Sequence, residues 1–408
     1  MFDVIIIGGG AAGMMAAVQA GFRQKKVALI DKNTRLGKKI MITGKGRCNI
    51  TNSAPIDEFI EQIPGNGRFL YSALYSFDNQ AVLDFLAGYG LETKVERGGR
   101  VFPTSDRSQD VIDAFIRGLA EAGVNVMLNR EVKAITRQNE TFTVSTQQDD
   151  YHAAKVVIAT GGVSYPLTGS SGDGYRWARQ LGHTIVPPKP ALVPLVTKEP
   201  WVRELQGLSL RNVLLSAWNG KRKLGEEFGE MLFTHYGVSG PIVLTLSRNI
   251  NEALVTNKDK IILQLNLKPA LTSEQLDKRI VRDFEKYSRR QFKNALDGLL
   301  PKLLIPVVIG LSQIDSDKFI HQITQAERQQ LVELMQNLSM TVESTRPLKE
   351  AIVTSGGVSV KEVDPSTMES KLVTGLFFAG EVIDVDGNTG GYNLQAAWST
   401  GYLAGINV

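Results

Sequence analysis

The sequence predicts an α/β fold with a Rossmann-like three-layer domain that is built from both ends of the chain. The first observation is an apolar strand, residues 2–7, that runs directly into the glycine-rich turn 8–13. The second is a similar arrangement near the other end, where the apolar segment 376–379 is followed by Gly380 and the glycine-rich segment 390–397. A chain that leaves its nucleotide-binding sheet and later returns to it forms a discontinuous domain with an insertion.

Periodic apolar residues support this fold through the first half of the chain. Residues 11–22 follow the first glycine turn and have the three- and four-residue spacing of a helix, which returns at 78–88 and 108–122. Short apolar or alternating segments predict strands at 26–31, 124–128, 131–137, 141–146 and 155–159. The order β-α-β followed by a β-meander is typical of a three-layer nucleotide-binding domain.

The insertion is expected to begin after a proline-rich run, residues 187–190, which cannot lie inside a helix or a central strand. Short apolar segments predict that residues 191–270 are β-rich, and helical periodicity dominates residues 271–345. The expected organisation is a discontinuous first domain, 1–190 with 346–408, and an inserted domain, 191–345.

Composition excludes several classes of protein. A single cysteine, Cys48, excludes an internal disulfide and a Cys-x-x-Cys redox motif, and four scattered histidines predict no metal site. No apolar run reaches the roughly 18 residues of a membrane span, and no leader precedes the first strand, so a cytoplasmic protein is expected. The net charge of +4 is a weak indication of an anionic partner.

The first glycine turn has the spacing of a dinucleotide-binding motif. Gly8, Gly10 and Gly13 stand in the G-x-G-x-x-G register between a strand and a helix, where the backbone can approach a pyrophosphate. Asp31 ends the second strand, where its carboxylate can accept hydrogen bonds from the adenosine ribose.

The second glycine motif favours FAD over a nicotinamide dinucleotide, which needs only the first turn. Glu381 follows a strand and a glycine, in reach of ribityl hydroxyls and the pyrophosphate. Residues 392–401 predict a helix whose N-terminus can point at the flavin pyrimidine ring and stabilise negative charge there. The segment 160–162, Thr-Gly-Gly after an apolar strand, is the expected point at which the chain leaves this domain.

The segment 37–52 is the most distinctive part of the first domain. It places Gly44 and Gly46, several amides or hydroxyls and a thiol at a reach that suits the flavin ring. Cys48 is either a proton donor or a residue packed against the cofactor cradle, and both interpretations stay open. Arg47 is a candidate for substrate contact.

The residues that we expect to contact the cofactor come from all of these segments. They are Gly8, Gly10, Ala12, Gly13, Asp31, Lys32, Lys38, Gly44, Gly46, Arg47, Cys48, Asn49, Val132, Thr160, Gly161, Gly162, Gly380, Glu381, Gly391, Tyr392, Asn393, Leu394 and Ala397.

A basic segment, residues 278–293, stands out in the inserted part. Seven lysines and arginines and only two acids occur there, on a pattern that predicts a helix. The segment is either a solvated helix face or a contact surface for a phosphate backbone. His235, in a Gly/Ser-rich turn, is either a proton donor or a structural turn residue.

Five segments resemble the BaiN/RdsA (YhiN-type) family of bacterial NAD(P)/FAD-dependent oxidoreductases: 8–13, 43–49, 233–241, 354–358 and 375–401. The sequence departs from that family's pattern at Asp31, where glutamate is commoner, and at Lys45, which interrupts a glycine-rich run. The resemblance implies an FAD domain with an inserted β-barrel-like and helical portion. It also implies FAD reduced by a visiting nicotinamide nucleotide, NADH or NADPH.

The resemblance further implies that a uridine in large-subunit ribosomal RNA, free or in a ribosomal precursor, is reduced to dihydrouridine. A more distant branch of the family is associated with bile-acid reduction. In that mechanism hydride reaches C6 of uracil and an acid protonates C5, with Cys48, His235 and Arg47 as the catalytic candidates, on a base taken out of its stack. Two alternatives stay open. One is a small-molecule ene-reductase of the fumarate-reductase type using Arg97, Arg100 and Arg107, and the other is a flavin-containing protein that only binds RNA or the ribosome.

Overall fold

The computed structural model describes residues 1–256 and 260–408. The chain forms two compact units: the first comprises Met1–Ala191 with Leu348–Val408, and the second comprises Leu192–Pro347. Each unit has a hydrophobic core of its own.

The strands, in chain order, are β1 (Phe2–Ile7), β2 (Val27–Ile30), β3 (Thr51–Asn52), β4 (Thr93–Glu96), β5 (Arg100–Pro103), β6 (Asn125–Met127), β7 (Val132–Gln138), β8 (Thr141–Thr146), β9 (Asp150–Ile158), β10 (Ile185–Ala191), β11 (Leu195–Thr197), β12 (Ser209–Asn219), β13 (Arg222–Phe233), β14 (Gly237–Ser239), β15 (Ile261–Asn266), β16 (Leu338–Thr345), β17 (Val353–Val358) and β18 (Leu376–Phe378). The α-helices are α1 (Ala11–Phe22), α2 (Lys38–Ile42), α3 (Ile56–Glu61), α4 (Tyr71–Ser76), α5 (Asn79–Gly88), α6 (Ser108–Glu121), α7 (Asp173–Gln180), α8 (Pro200–Glu204), α9 (Pro241–Thr256), α10 (Ser273–Lys286), α11 (Ile305–Ser312), α12 (Gln325–Gln336) and α13 (Tyr392–Asn407).

The first unit is built on a seven-stranded sheet in the order β6-β2-β1-β9-β8-β7, with β18 also paired to β9. The strands β6, β2, β1, β9 and β18 are parallel, and β7, β8 and β9 form an antiparallel meander. The central strands are buried on both faces, as expected of a parallel sheet covered by helices. Together with the closed barrel of the second unit, this sheet confirms the predicted fold class.

Both chain ends meet in this unit. The first helix, α1, packs against the last helix, α13, and strand β18 lies beside β9. The contact is close because the facing residues are small: Ala12 and Ala16 of α1 meet Gly401 and Gly405 of α13. The carboxyl ends of β1, β2, β9 and β18 therefore lie at one edge of one sheet, where ligands bind in this class of fold.

The proline-rich run forms a strand. Strand β10 pairs antiparallel with β17 in a two-stranded sheet, and the register shifts between Val186 and Lys189. Pro187 and Pro188 lie within that shift, where their missing N–H groups interrupt no regular pairing. The expectation that the run stays out of a helix or a central strand agrees with this placement in a two-stranded sheet.

The second unit contains a closed barrel in the strand order β11-β14-β13-β12-β15-β16. Two features differ from the sequence expectation of a β-rich part followed by a helical part. Helix α9 covers 16 residues within 191–270, and β16, which closes the barrel, lies within 271–345. Barrel closure joins β11 to β16, about 140 residues apart in sequence, and no local pattern signals such a pairing.

The basic segment is helical only in part. Helix α10 begins at a capping box formed by Thr272 and Gln275 and ends at Lys286. The predicted continuation of the helix to residue 293 is wrong. After Tyr287 the backbone pairs with residues 318–321 instead: Ile320 N–H donates to Arg290 O at 3.0 Å, and Phe292 N–H donates to Lys318 O at 2.9 Å.

No helix in the described ranges is long and apolar enough to cross a membrane. Among the same residues, no three His, Cys, Asp or Glu side chains are grouped so that they could hold a metal ion.

Candidate flavin site

The first glycine turn joins the end of β1 to the start of α1. Gly8 has φ +110°, and a Cβ at this position would lie 2.4 Å from the carbonyl oxygen of Ala159, so only glycine fits. Gly10 precedes α1 and offers no side-chain cap, and a Cβ there would meet open space. The first N–H groups of α1 therefore face a surface that a phosphate can approach.

Asp31 lies immediately after β2 and beside this turn. Its carboxylate accepts hydrogen bonds from the backbone N–H groups of Gly9, at 2.6 Å, and Asn33, at 2.7 Å. Both oxygens keep a lone pair that can accept a ribose hydroxyl. Asp31 thus stands where the glycine turn meets the end of β2. In dinucleotide-binding folds the adenosine ribose binds beside this position.

Lys32 is engaged by an acid of the same unit. Its ammonium group pairs with Asp173 at 2.8 Å and also donates to Ser171. Burial alone would raise the pKa of Asp173, but the hydrogen bonds from Lys32 and Ser171 hold that pKa below its ordinary value. Lys32 therefore anchors the start of α7 to the loop after β2.

Glu381 is held by three separate parts of the first unit. Its carboxylate pairs with Lys39 of α2, and it accepts hydrogen bonds from Ser164 Oγ at 2.9 Å and from the N–H of Thr354 at 2.8 Å. Lys39 also donates to Ser164 Oγ at 2.7 Å. This network links α2, the loop after β9 and β17 at the point where the chain turns after β18.

Sequence reasoning chose Lys38 and missed Lys39. Adjacent residues of a helix point about 100° apart, so only one of two consecutive lysines can face Glu381. The pattern Lys38-Lys39 carries no signal that distinguishes them, because α2 is only five residues long and has no clear apolar stripe.

The N-terminus of α13 contacts the segment that contains Cys48. Gly391 has φ +104°, and a Cβ there would lie 2.3 Å from the carbonyl oxygen of Thr51. With its amide oriented to satisfy its neighbours, Asn49 accepts from Gly391 N–H at 3.0 Å and donates to Thr51 O at 3.1 Å. Asn52 donates to Gly390 O at 3.0 Å. Two segments about 340 residues apart in sequence thus form one cradle.

Two side chains of the first turn of α13, Tyr392 and Asn393, contact the protein. Asn393 exchanges hydrogen bonds with the backbone of Gly387, at 2.8 Å in each direction. Tyr392 packs edge-to-face on Phe59, and burial raises the pKa of Tyr392. What this turn can offer a cofactor is its backbone N–H groups and the positive end of the helix dipole. Gln395, which sequence reasoning missed, is fully buried and its side-chain oxygen accepts from Thr51 Oγ1 at 2.7 Å.

The loop 43–48 has an unusual backbone, since Gly44, Lys45, Gly46 and Cys48 all have positive φ. The Cys48 side chain has no exposed surface, and burial raises the pKa of its thiol to about 12. The thiol is therefore protonated at neutral pH and packed inside the first unit. Of the two open interpretations, packing against the cradle agrees with this burial, while a role as proton donor stays a prediction.

Arg47 is part of a surface network of charges. Its guanidinium donates to Glu96 at 2.7 Å and to Asp106 at 3.3 Å, and it stacks on the ring of Phe102 at 4.1 Å. The hydrogen bond with Arg47 holds the pKa of Glu96 below its ordinary value. About one third of the Arg47 side chain is exposed, so it can also meet an approaching molecule.

Three further candidates of the first unit, Thr160, Val132 and Ala12, are enclosed wholly or in part by protein atoms. Thr160 Oγ1 is buried against Gly174 of α7 and has no hydrogen-bond partner among the described residues. Val132 and Ala12 are core residues.

The alternative function, a small-molecule ene-reductase, would use Arg97, Arg100 and Arg107. Arg107 pairs with Asp110 at 3.0 Å, whereas Arg100 donates to the carbonyl of Arg97. Arg97 and Arg100 are therefore in contact, and the use of the three arginines for a small substrate stays a prediction.

His235 belongs to the second unit, whereas Cys48 and Arg47 belong to the first. It lies in the tight turn between β13 and β14, which is closed by a hydrogen bond from Thr234 N–H to Gly237 O at 2.8 Å. The imidazole is exposed and packs edge-to-face on Tyr236. This position agrees with the interpretation of His235 as a structural turn residue, and its side chain is accessible to solvent.

Known proteins resemble this chain over its whole length. Residues 2–407 match the family described as HI0933-like protein Rossmann domain. A 3-dehydro-bile acid delta(4,6)-reductase from Clostridium scindens is 34% identical over 403 residues, which cover 98% of this chain and 97% of that protein. The ribosomal RNA dihydrouridine synthase of Escherichia coli K12 is 33% identical over 410 residues, with coverage of 98% and 96%.

A solved structure shares the fold at low identity. The 3-ketosteroid delta1-dehydrogenase from Sterolibacterium denitrificans superposes with a TM-score of 0.54 at 14% identity, covering 99% of this chain and 98% of that one. These matches confirm the resemblance expected from the sequence motifs. With the family match spanning almost every residue, the chain belongs to the HI0933-like family and is a flavin-dependent oxidoreductase.

Proposed function

We propose that this protein binds FAD and reduces a uridine of large-subunit ribosomal RNA to dihydrouridine. The observation that carries the proposal is the full-length similarity to the Escherichia coli ribosomal RNA dihydrouridine synthase. A second protein of that name, from Haemophilus influenzae, is 32% identical over 99% of this chain. The exposed basic segment of the second unit also favours an anionic substrate.

The residues of the first unit suit both halves of FAD, the adenosine diphosphate half and the flavin half. The open N-terminus of α1 after Gly10 would hold the pyrophosphate, and Asp31 would accept the adenosine ribose hydroxyls. Asn49 and the first turn of α13 would lie at the isoalloxazine end. Bound flavin supplies hydride chemistry, once it has been reduced by NADH or NADPH.

The protein must orient the uracil and protonate its C5. Arg47, fixed by Glu96 and Phe102, is a rigid cation that can bind a uracil oxygen or a phosphate. His235 is exposed and can exchange a proton at its ring nitrogens, whereas Cys48 would need to become accessible to do so. We propose these three residues as the catalytic candidates.

We also propose that the protein acts in the cytoplasm, where ribosomal RNA is made.

A second candidate function is reduction of a conjugated double bond in a steroid-like molecule. The observation that favours it is the 34% identity, over 98% of this chain, to the Clostridium scindens 3-dehydro-bile acid delta(4,6)-reductase. The same hydride chemistry applies, because an enone and the C5–C6 bond of uracil are both double bonds polarised by a carbonyl.

The experiment that separates the two is a direct product assay. The purified holoprotein is reduced anaerobically with NADH or NADPH and mixed with large-subunit rRNA lacking dihydrouridine, or with a 3-oxo-delta(4,6) bile acid. Dihydrouridine detected by mass spectrometry of the digested rRNA supports the main proposal, and reduced bile acid with unchanged rRNA replaces it by the second. Asp31→Ala, which is expected to lose FAD, serves as the inactive control.

The catalytic candidates are ranked by three variants in the same assay. Arg47→Met is expected to lower kcat/KM about tenfold or more, and His235→Gln to lower kcat. Cys48→Ala is expected to keep most of the activity if Cys48 only packs against the cradle.

A further inference from the structure

The structure sorts the seven cations of the basic segment into two groups. Arg279 pairs with Asp283 at 2.9 Å, and Lys293 pairs with Asp317 at 2.5 Å. The others form no ion pair with any acid in the ranges that the structure describes, and all are exposed: Lys278, Arg282, Lys286, Arg289 and Arg290. The positive charge of the segment is therefore largely uncompensated within the second unit.

We call four of these cations the cationic stripe: Lys278, Arg282, Lys286 and Arg289. The first three are spaced by four residues on α10, so they lie one above another on its exposed face. The opposite face is buried through Leu276, Ile280 and Phe284. Arg289 follows three residues after Lys286, just beyond the end of the helix.

An exposed aromatic ring lies at the end of the stripe. Phe319 is 42% exposed and stacks on His321, with ring centroids 5.8 Å apart. Residues 318–321 are held beside residues 288–292 by the backbone hydrogen bonds described above. As a result Phe319 lines one depression together with Arg289, Arg290, Gln291, Asn294 and Asp297.

We propose that the cationic stripe and this depression bind single-stranded RNA, an inference that rests on the proposed function and names its substrate-contact surface. The stripe neutralises successive phosphates, and Phe319 provides a stacking face for one base. Arg290, held over the ring of Tyr287 at 4.5 Å, presents a second planar group for stacking. The amides of Gln291 and Asn294 and the carboxylate of Asp297 can pair with base edges.

The combination of groups favours RNA over other polyanions. A row of cations alone attracts any polyanion, because the attraction is purely electrostatic. A stacking ring flanked by arginines, with amides and a carboxylate at its edge, is of use only when the ligand also carries flat rings with polar edges. Unpaired nucleotides combine the two features, and an accessible unpaired base is also what reduction of uracil requires.

The test measures binding separately from catalysis. Oxidised holoprotein is titrated into a fluorescein-labelled single-stranded RNA of about 16 nucleotides, the upper range for one basic groove, and anisotropy is recorded between about 50 and 200 mM salt. The stripe variant carries Lys278→Gln, Arg282→Gln and Lys286→Gln. A matched control removes the same residue types from exposed positions of the first unit: Lys25→Gln, Lys361→Gln and Arg23→Gln.

The stripe variant is expected to bind about tenfold more weakly, with a salt slope smaller by about 2, while the control is unchanged. Phe319→Ala is expected to weaken binding about tenfold without changing the salt slope, and Phe319→Tyr to retain it. Equal affinities of wild type and stripe variant would overturn the proposal, and so would unchanged RNA binding in Phe319→Ala together with equally tight binding of heparin.

The same preparations are assayed for dihydrouridine formation, so that a failure of the binding surface can be distinguished from a failure of the proposed function. If wild type modifies rRNA but the stripe variant binds and reacts normally, the surface is wrong and the proposed function stands. If wild type modifies no rRNA, the proposed function fails, whatever the binding shows.

Discussion

The region expected to hold the dinucleotide and the region expected to meet the substrate are built in different ways. In the first unit, Gly8, Asp31 and Glu381 are each fixed by backbone contacts or by a network of neighbours. In the second unit, His235 and the cationic stripe project from the surface and hold little of the fold together. Residues that serve both the fold and the ligand give a recognisable motif, whereas surface residues can change with the substrate at little structural cost.

The largest effect is expected where fold and cofactor site coincide. Gly8→Ala places a methyl group 2.4 Å from the Ala159 carbonyl oxygen at φ +110°, and we expect it to lower the free energy of unfolding by about 3–5 kcal/mol. Gly10→Ala is the matched control. Its methyl group meets no protein atom within 4 Å, so stability should hold while flavin content falls.

Both variants are checked by thermal unfolding and by the ratio of flavin to protein absorbance. Equal losses of stability at the two positions would contradict the distinction, because the Gly10 side of the turn would then be part of the fold as well.

A smaller effect is expected at the network around Glu381. Lys39→Met leaves the carboxylate without its cation in a mostly buried position, which should cost about 1–3 kcal/mol of unfolding free energy and weaken flavin retention. Lys38→Met is the control, with the same change of charge one residue away. Urea unfolding of the two proteins side by side measures the difference, and equal midpoints would show that Lys39 does not support the site.

The next effect depends on pH. The unfolded Cys48 thiol ionises near pH 9, whereas burial raises its folded pKa to about 12. The stabilisation is therefore fully present below about pH 9 and is lost progressively as pH rises toward the folded value. From about pH 8 to pH 10, wild type should lose about 1.4 kcal/mol of stability that Cys48→Ala does not lose. Parallel pH dependences of the two unfolding curves would place the thiol in an exposed state.

The smallest effect is expected in the second unit. The triple variant Lys278→Gln, Arg282→Gln and Lys286→Gln removes exposed cations that form no ion pair among the described residues, so stability should change by less than about 0.5 kcal/mol. A small gain in stability would also agree with this prediction, because like charges on one helix face repel each other. A loss of several degrees in melting temperature would mean that the stripe supports the fold, and the contrast between the two regions would disappear.

Sequence patterns predicted the first unit well because its elements are set locally. The strand 2–7, the helix 11–22 and the strands from 124 to 158 have clear periodicity, and the glycine turns occur where backbone geometry demands them. The second unit was predicted less well. Strand β16 follows α12 almost directly, and its place is determined by partners in β11 and β15 that lie far away in sequence.

The details of the site follow the same rule. The contacts of Asn49 with Gly391 and of Lys39 with Glu381 join segments more than 300 residues apart, and no spacing within either segment reveals them. The burial of Cys48 depends on packing from several elements, so the sequence left both of its interpretations open. The end of α10 at Lys286 depends on backbone pairing with residues 318–321, which again is a non-local contact.

The two-stranded ribbon of β10 and β17 has a consequence for how such proteins diversify. Ala191, the last residue before the chain leaves the first unit, is paired with Val353, close to where the chain re-enters. Paired residues of adjacent strands are only about 5 Å apart, so the chain leaves and re-enters the first unit at nearly the same point. Any compact module whose own ends lie close together could be inserted at this point without disturbing the sheet. Related proteins could then acquire different substrates by exchanging the inserted module.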